Sequence, residues 1–355
     1  MQQLFVLLLS WACLAFGARP SLVPGKGFER FLTIWLENQD YAKVTLDQSI
    51  VDLKRQGILL TRYYAQTHPS QPNYLAAIGG DYFGLNHDYS VRIPENVATV
   101  VDLLEAREVS WGGYFENMPS PGYMGNYSDG PTGNGLWDYR DFNARTVPQF
   151  AFLTPNMMND GHNTSLEFSA AWSHEFLQPL LADKAFDERT LIMLTYDESE
   201  DYTQPNRIVT LLLGSAIPPA LKGTQDDTFY THYSILSTLQ ANWGLHNLGR
   251  YDVGANVFQF VADVAGYTNR DPENARSVNN SISYPGLLND DPKYSLPIPV
   301  PNTQLIVAGG LPILPSIEAA YSGTEKWQTP YDGSGNVCDG DRNLPEYAAP
   351  APNPP

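Results

Sequence analysis

Two pairs of polar residues follow two apolar runs of the sequence, where their oxygen atoms could gather around an ion. Glu37 and Asn38 come directly after the run FLTIWL, and Asp197 and Glu198 come directly after the run TLIMLTY. Short, continuously apolar runs of this kind are typical of parallel strands that are buried on both faces. Ligands of open parallel sheets bind at the carboxyl ends of the strands. We therefore expect these four side chains to meet at one edge of a sheet.

Three carboxylates and one amide oxygen form a set of hard ligands, which Ca²⁺, Mg²⁺ and Mn²⁺ prefer. Zinc is less favoured because no histidine or cysteine accompanies the set. The alternative is that acidic residues after a strand simply leave the core for water, which is the commoner arrangement for either pair alone. Two such pairs at two strand ends favour a site for a divalent metal ion.

A serine in the segment HPSQPNY is placed for nucleophilic chemistry. Ser70 precedes a short apolar segment that Gly79 and Gly80 close, and Pro72 is tolerated in a first turn, so the pattern predicts a helix start. The unpaired N–H groups and the dipole of such a start favour an attacking alkoxide and hold a phosphate. A metal contact would lower the pKa of the hydroxyl further. The alternative is that Ser70 only caps the helix, which is the commoner use of such a serine.

Alternating strand and helix signals must position these residues. A third apolar run, IVTLLL at 208–213, predicts another buried strand. Apolar residues recur at helical spacing within 97–104, 172–180 and 235–239, the last after Thr231 as a cap. This alternation predicts an α/β sandwich with a mostly parallel central sheet and helices on both faces.

Composition divides the chain into segments. Residues 1–17 read as a signal peptide, 18–265 as one large α/β domain, and 266–355 as a Pro- and Asn-rich extension that wraps the domain and ends in disorder. Within the domain, 114–146 is rich in Gly, Pro, Asn, Tyr and Asp and predicts a long structured loop over one end of the sheet. Within the extension, a short strand is expected at 304–307.

The first residues indicate secretion. An apolar stretch over 4–16 is too short to span a bilayer, and the small residues Ala15 and Gly17 fit a cleavage site after position 17. Three N-x-[ST] sequons agree with passage through the secretory pathway: Asn126, Asn163 and Asn279. No later run is long enough for a membrane helix, so we expect a released protein, in solution or associated with a cell wall, without stable membrane insertion.

Charge and cysteine count exclude further classes. The formal net charge of −18 argues against nucleic acid as a partner, because phosphate backbones would be repelled over most of the surface. Cys13 leaves with the signal peptide, so Cys338 has no partner for an internal disulfide. Stability must then come from a hydrophobic core, which a chain with 43% hydrophobic residues can build.

Five segments occur in the order seen in the phosphoesterase family, and together they carry a resemblance that spans about 31–252. They are Glu37-Asn38, HPSQPNY, NDGH at 159–162, TYDES at 195–199 and YTHYS at 230–234. The family contains acid phosphatases and phospholipases C and looks like a branch of the alkaline phosphatase superfamily. In detail the sequence is most similar to secreted acid phosphatases of filamentous fungi. The resemblance implies an α/β fold and an enzyme that acts on small phosphorylated substrates.

The resemblance also implies roles for individual residues. Ser70 corresponds to the residue that becomes phosphorylated in the wider superfamily, and Glu37, Asn38, Asp197 and Glu198 correspond to metal ligands. Members with two zinc ions carry several histidine ligands, whereas the Asp-Glu pair here stands where many have Asp-His. We therefore expect a single metal ion.

Several further residues are candidates for catalysis or phosphate binding. His162 would pair with a phosphoryl oxygen or donate a proton to the leaving group in an acidic medium, with a plain surface position as the alternative. His232 has a weaker catalytic claim, against an equally acceptable capping or packing role. The expected phosphate-binding residues are Asn73, Asn86, His87 and Asp160.

The resulting hypothesis is a secreted acid phosphatase that hydrolyses phosphomonoesters through a phosphoserine, assisted by one divalent metal ion. A phospholipase C or other phosphodiesterase would use the same nucleophile and metal with a different pocket. An alternative from another functional class is a secreted cell-wall or carbohydrate-binding glycoprotein that no longer catalyses a reaction. The sequence leaves the oligomeric state open.

Overall fold

A central sheet of seven strands organises the protein. The computed structural model describes residues 22–120, 147–276, 284–321 and 329–336. The strands are β1 (Arg30–Leu36), β2 (Ile58–Tyr64), β3 (Trp111–Phe115), β4 (Phe150–Thr154), β5 (Thr190–Tyr196), β6 (Thr210–Leu213) and β7 (Thr224–Thr231). Their order across the sheet is β3-β4-β1-β5-β6-β2-β7. All adjacent pairs are parallel except the two that involve β6, which is antiparallel to both neighbours.

The two strands predicted to precede the candidate ligands lie side by side at the centre. All residues of β1 and of β5 are buried, which requires cover on both faces of the sheet. Their register pairs Leu36 with Tyr196, the last residue of each strand. The residues that follow both strands therefore leave the same edge of the sheet together.

The helices form two groups of mutual contacts. They are α1 (Tyr41–Val44), α2 (Gln48–Lys54), α3 (Ser70–Gly79), α4 (Val100–Glu105), α5 (Leu166–Ala182), α6 (Lys184–Asp187), α7 (Tyr233–Trp243), α8 (Gln259–Ala265) and α9 (Pro315–Ala320). In one group α5 contacts α2 and α6, and in the other α3 and α7 contact each other together with α4 and α8. The predicted α/β class with a mostly parallel sheet is confirmed. None of the helices in the described ranges combines the length and apolar character that a bilayer span requires.

The described parts of the segment beyond residue 265 pack against the rest of the chain. Ile313, Leu314 and Ile317 belong to the main hydrophobic core. The backbone of this segment also approaches Gly84, where an added Cβ would lie 2.5 Å from the backbone nitrogen of Gly286. Two glycines facing each other permit this close docking.

Three local predictions were wrong. Strand β6 runs antiparallel although its apolar sequence resembles that of a parallel strand, because a strand covered on both faces has the same composition in either direction. Residues 304–307 form no strand. The loop expected from residue 114 begins later, because Tyr114 and Phe115 still pair with β4.

Candidate active site

The hydroxyl of Ser70 lies among oxygen atoms from two separate chain segments. Its Oγ is 3.2 Å from Glu37 Oε2, 3.1 Å from Glu198 Oε1 and 3.4 Å from Asn38 Oδ1. Helix α3 begins at Ser70, and the preceding Pro69 provides no side-chain cap. The hydroxyl thus faces the carboxylates at the strand ends and does not cap its own helix.

The ends of β1 and β5 explain why these oxygens meet. The backbone N–H of Asp197 donates to Leu36 O at 3.0 Å, which continues the pairing of the strands one residue further. Glu37, Asp197 and Glu198 then follow at the shared edge. The structure therefore brings together the four predicted metal ligands and the predicted nucleophile, as the two strand ends require.

Burial of like charges sets the electrostatics of the cluster. Asp197 and Glu198 are fully buried and Glu37 is 8% exposed. Loss of hydration raises the pKa of Asp197 well above its usual range, and the negative charges of Glu37 and Glu198 raise it further. Desolvation also raises the pKa of Glu198, against a lowering contribution from His68.

The cluster has the composition of a cation site. Within the described residues no lysine or arginine forms an ion pair with any of the three carboxylates, and Asp197 Oδ2 is buried without a hydrogen-bond partner. The same part of the chain holds no ready-made cage of three or more acidic, histidine or cysteine side chains. A divalent cation would therefore also need the amide oxygen of Asn38, and the hard oxygen set fits such an ion.

His68 is a site residue that the sequence analysis missed. It is buried, and its Nδ1 contacts Glu198 Oε2. Its ring stacks on Tyr202 with a centroid distance of 3.8 Å. The signal was present, because His68 opens the segment HPSQPNY and stands two residues before the nucleophile.

Tyr74 was also missed. Its hydroxyl donates to Glu37 Oε1 at 2.5 Å. Tyr74 lies four positions after Ser70 on α3, a spacing that places both on one helix face. Burial raises the pKa of Tyr74 well above its usual range, and the negative charges of Asp197 and Glu37 add to this, so the phenol remains a donor.

Comparison of the sequence with known proteins identifies a family. The sequence profile of the phosphoesterase family matches residues 36–246. The chain belongs to the phosphoesterase family. The predicted membership is confirmed, and the matched span lies inside the predicted 31–252.

Relatives of this phosphoesterase include fungal enzymes. An acid phosphatase of Aspergillus fumigatus is 42% identical over 352 residues, which cover 89% of this chain and 78% of the relative. A phosphate-repressible acid phosphatase of Penicillium chrysogenum is 42% identical over 332 residues, covering 86% and 80%. A solved structure of an alkaline phosphatase superfamily protein from Vibrio parahaemolyticus aligns with 62% of this chain and 70% of its own, at 14% identity and a TM-score of 0.43.

Asn73 of the phosphoesterase chain does not face the cluster as a phosphate ligand. It is fully buried, and its Oδ1 accepts from the backbone N–H of Gln66 at 2.8 Å. Its Nδ2 donates to Thr67 O at 2.8 Å and to Pro69 O at 3.2 Å. The prediction that Asn73 binds phosphate was wrong, because its side-chain amide holds the loop that carries Ser70.

His232 lies beneath the cluster rather than in it. The ring is fully buried, its Nε2 donates to the backbone oxygen of Asp197 at 2.8 Å, and its Nδ1 is 3.3 Å from the Tyr63 hydroxyl. Burial lowers the pKa of His232 to about 4, so the ring is neutral at mildly acid pH. This placement corrects the expected catalytic role, because the ring supports the backbone of a candidate ligand and does not contact Ser70.

The NDGH loop reaches the site through Asp160 rather than through His162. Asp160 is buried, and its backbone oxygen accepts from the Glu37 N–H at 3.0 Å. His162 is exposed, and its Nδ1 lies 3.2 Å from Asn163 Oδ1. The loop is held by Glu116, a third residue that was missed, whose carboxylate accepts from Asn159 Nδ2 at 2.9 Å.

Asn86 and His87 make contacts with the C-terminal segment and within their own loop. Asn86 Nδ2 donates to Asp290 Oδ1 at 2.6 Å and thereby ties the loop after α3 to the C-terminal segment. His87 accepts from the backbone N–H of Tyr89 at 3.1 Å and stacks on its ring. The binding of phosphate by Asn86 and His87 stays a prediction.

The predicted glycosylation sites are only partly described. Asn163 is exposed, as a glycosylated asparagine must be. Asn126, Asn279, the signal peptide and Cys338 lie outside the described residues.

Proposed function

We propose that this phosphoesterase is an acid phosphatase, which hydrolyses phosphomonoesters through a phosphoserine at Ser70. One observation carries the proposal: a serine hydroxyl at a helix start lies within 3.4 Å of oxygens from Glu37, Asn38 and Glu198. The similarity to fungal acid phosphatases supports the same assignment.

The first step would be attack of Ser70 Oγ on phosphorus, in line with the departing alcohol. The new bond joins Oγ to phosphorus and the ester P–O bond breaks. The hydroxyl proton passes to an adjacent carboxylate oxygen of Glu37 or Glu198, and the departing alkoxide takes the proton of the phosphoryl group or one from solvent. In the second step water attacks the phosphoserine and gives a proton to solvent, the P–Oγ bond breaks, the carboxylate returns its proton to Oγ, and inorganic phosphate leaves. Positioning and charge stabilisation account for most of the rate in such reactions.

The N-terminus of α3 has backbone N–H groups that could donate hydrogen bonds to phosphoryl oxygens. One of them is already used, because the N–H of Gln71 donates to Asp88 Oδ1 at 2.9 Å. Pro72 has no N–H, so Ser70 and Asn73 carry the other N–H groups of this turn.

We also propose that Glu37, Asn38, Asp197 and Glu198 hold one divalent cation, with Ca²⁺, Mg²⁺ or Mn²⁺ favoured over Zn²⁺. Such a cation would lower the pKa of the Ser70 hydroxyl and offset the negative charge of the phosphoryl oxygens. The three carboxylates would otherwise repel a phosphate, because no lysine or arginine of the described segments pairs with them.

Acid conditions suit this arrangement. A phosphomonoester has a second pKa of about 6 and carries its own proton at about pH 5, so departure of the alcohol requires less from a general acid. His162 is exposed and His232 is fully buried against the Asp197 backbone, and this route requires neither as a general acid. Secretion with cleavage after residue 17 and glycosylation at Asn163 remain part of the proposal, and mass spectrometry of the released protein checks both.

The function is tested with p-nitrophenyl phosphate and its bis ester, assayed from about pH 4 to 8 before and after chelation. We expect the monoester to be cleaved preferentially, with an acid optimum, and cleavage to be lost in excess chelator and restored by added Mg²⁺, Mn²⁺ or Ca²⁺. Preferential cleavage of the diester would favour a phosphodiesterase instead. Activity that is unchanged after complete removal of metal would overturn the proposed cation.

A further inference from the structure

A large open pocket adjoins the candidate site. Its volume is about 1130 Å³, and it lies between strands β3 and β4, helices α3 and α4, and Glu37, which follows β1. Pockets of about 300–1,000 Å³ already accommodate drug-sized molecules. The pocket is therefore far larger than one phosphate group requires.

The pocket is continuous with the surroundings of the nucleophile. Glu37 and Tyr74 line it, and the same Glu37 carboxylate reaches Ser70 through Oε2 and Tyr74 through Oε1. A phosphoester at Ser70 would thus stand at one end of the pocket, with the pocket open to the organic group of the ester.

The walls of the pocket are apolar and aromatic. Trp111 and Phe115 line it from edge strand β3 and remain 44% and 48% exposed. Residues 111, 113 and 115 share one face of the strand, and Gly113 leaves room there for the Phe115 ring, because an added Cβ would lie 2.8 Å from that ring. Large exposed aromatics grouped in this way mark a binding surface.

The charge of the pocket selects against anions. Its carboxylate side chains in the described residues are Glu37, Glu116 and Asp160, and no lysine, arginine or histidine lines it there. A leaving group with its own carboxylate or second phosphate would meet acidic groups and no cationic side chain of the described lining. An uncharged group would bury apolar surface without that repulsion.

We propose that this pocket binds the uncharged, apolar organic group of the phosphomonoester, so that preferred substrates are phosphates of aromatic or similarly hydrophobic alcohols. The inference rests on the proposed phosphatase function and adds the class of substrate. Phe115 and Trp111 are then specificity-determining residues, since they contact the leaving group and not the reacting phosphorus.

The test compares phenyl phosphate with 2-naphthyl phosphate, whose phenols are of similar acidity, so that the difference reports mainly the contact of the second ring. We expect kcat/KM to be about tenfold higher for the naphthyl ester in the wild type, from partial burial of that ring. Phe115→Ala should reduce this ratio to about two, and Gly113→Ala should reduce it less because it only displaces the Phe115 ring. A carboxyphenyl phosphate should have a lower kcat/KM than phenyl phosphate.

Phe168→Ala is the matched control, because Phe168 is 47% exposed on α5 and does not line the pocket. In this variant the ratio of kcat/KM for 2-naphthyl phosphate to kcat/KM for phenyl phosphate should equal that of the wild type. If all esters are cleaved but the ratio is near one, or is unchanged in Phe115→Ala, the pocket proposal is overturned and the phosphatase function stands. If the wild type cleaves none of the esters, both proposals fail together.

Discussion

Helices α3 and α5 each start at a serine, and the two serines are used differently. Ser165 precedes α5 as its cap, is exposed, and accepts from the Phe168 N–H at 3.4 Å. Ser70 is the first residue of α3, is half-buried, and directs its hydroxyl to Glu37 and Glu198. Local sequence does not explain this contrast, since both residues precede an amphipathic run.

The strand ends around Ser70 create the difference. The oxygens near its hydroxyl come from residues 33 and 128 positions away in the chain, whereas the partner of Ser165 is three residues away. A helix start becomes a candidate nucleophile site only where the fold brings acidic residues to it. Four predictions can break or sharpen this comparison.

The largest effect is expected from Ser70→Ala. Removing the nucleophile should lower kcat for p-nitrophenyl phosphate by at least about 10⁴-fold, as for other enzymes whose nucleophile is deleted. Ser165→Ala should leave kcat/KM within about twofold of wild type, because surface substitutions far from a site have small effects. Steady-state kinetics of both variants provide the measurement.

Both proteins should be produced in a bacterial host, because Ser165 completes the sequon of Asn163 and its loss would also remove a glycan. Equal activity losses in the two variants would show that the contrast between the two helix starts has no catalytic meaning.

Elements of the fold that depend on residues adjacent in the chain could be predicted from the sequence, whereas features that depend on contacts between distant residues could not. The runs FLTIWL and TLIMLTY predicted β1 and β5 because buried parallel strands require continuous apolar residues, and the positions of Glu37 and Asp197 follow from them. Edge strand β7 was missed because its sequence TQDDTFYT is polar where the strand is exposed.

Individual side chains of the site were less predictable than its strands. The roles of Asn73 and His232 depend on the backbone groups that reach them, Thr67 O and Asp197 O, and a single sequence carries no record of those contacts. Glu116 was missed for the same reason, whereas His68 was missed although it opens the segment HPSQPNY.

The second prediction concerns the carboxylates that distinguish Ser70 from Ser165. Asp197→Asn should lower kcat/KM by about 10²–10³-fold if the residue is a metal ligand. In excess chelator at pH 7 the same variant should be more stable to unfolding than wild type, by about 1–2 kcal/mol, because a buried charge beside Glu37 and Glu198 is removed. Metal content and thermal unfolding are the measurements.

Asp183→Asn is the control, since Asp183 caps α6 at the surface and asparagine caps a helix about as well, so its stability should stay close to that of wild type with or without chelator. A chelated Asp197→Asn protein that unfolds more readily than wild type would contradict the account of like-charge burial.

The third prediction concerns Asp81, a buried carboxylate just beyond the opposite end of α3, whose hydrogen-bond donors are neutral and whose pKa the charge of Arg250 lowers only in part. It accepts from the Tyr331 hydroxyl and, at 2.8 Å, from the Phe83 N–H. Burial raises the pKa of Asp81 from 3.8 to about 6. The folded protein then binds more protons than the unfolded chain between these values, so this residue's contribution to the free energy of unfolding falls as pH rises through this window, by up to about 3 kcal/mol.

Asp81→Asn should remove that slope. We expect the stability of the variant relative to wild type to increase by up to about 3 kcal/mol between pH 4 and pH 7 in chemical unfolding. A difference between the two proteins that is the same at both pH values would contradict the raised pKa.

The smallest effect is expected for the stability of Ser165→Ala. Loss of a serine cap costs about 1 kcal/mol, and the 3.4 Å separation from the Phe168 N–H places this cap at the weak end. Urea unfolding measures the change, and Ser165→Asp, which preserves a capping oxygen, should restore most of it. A Ser165→Ala protein with wild-type stability would show that the hydroxyl does not cap α5.

The central claim is tested most directly by trapping the intermediate. The protein is mixed with ³²P-labelled p-nitrophenyl phosphate, quenched in acid, digested, and the modified peptide is sequenced by mass spectrometry. We predict a phosphoryl group on Ser70 in the wild type and none on any residue of Ser70→Ala, while Ser165→Ala labels as the wild type does. Label on another residue, or label that persists in Ser70→Ala, would contradict the account.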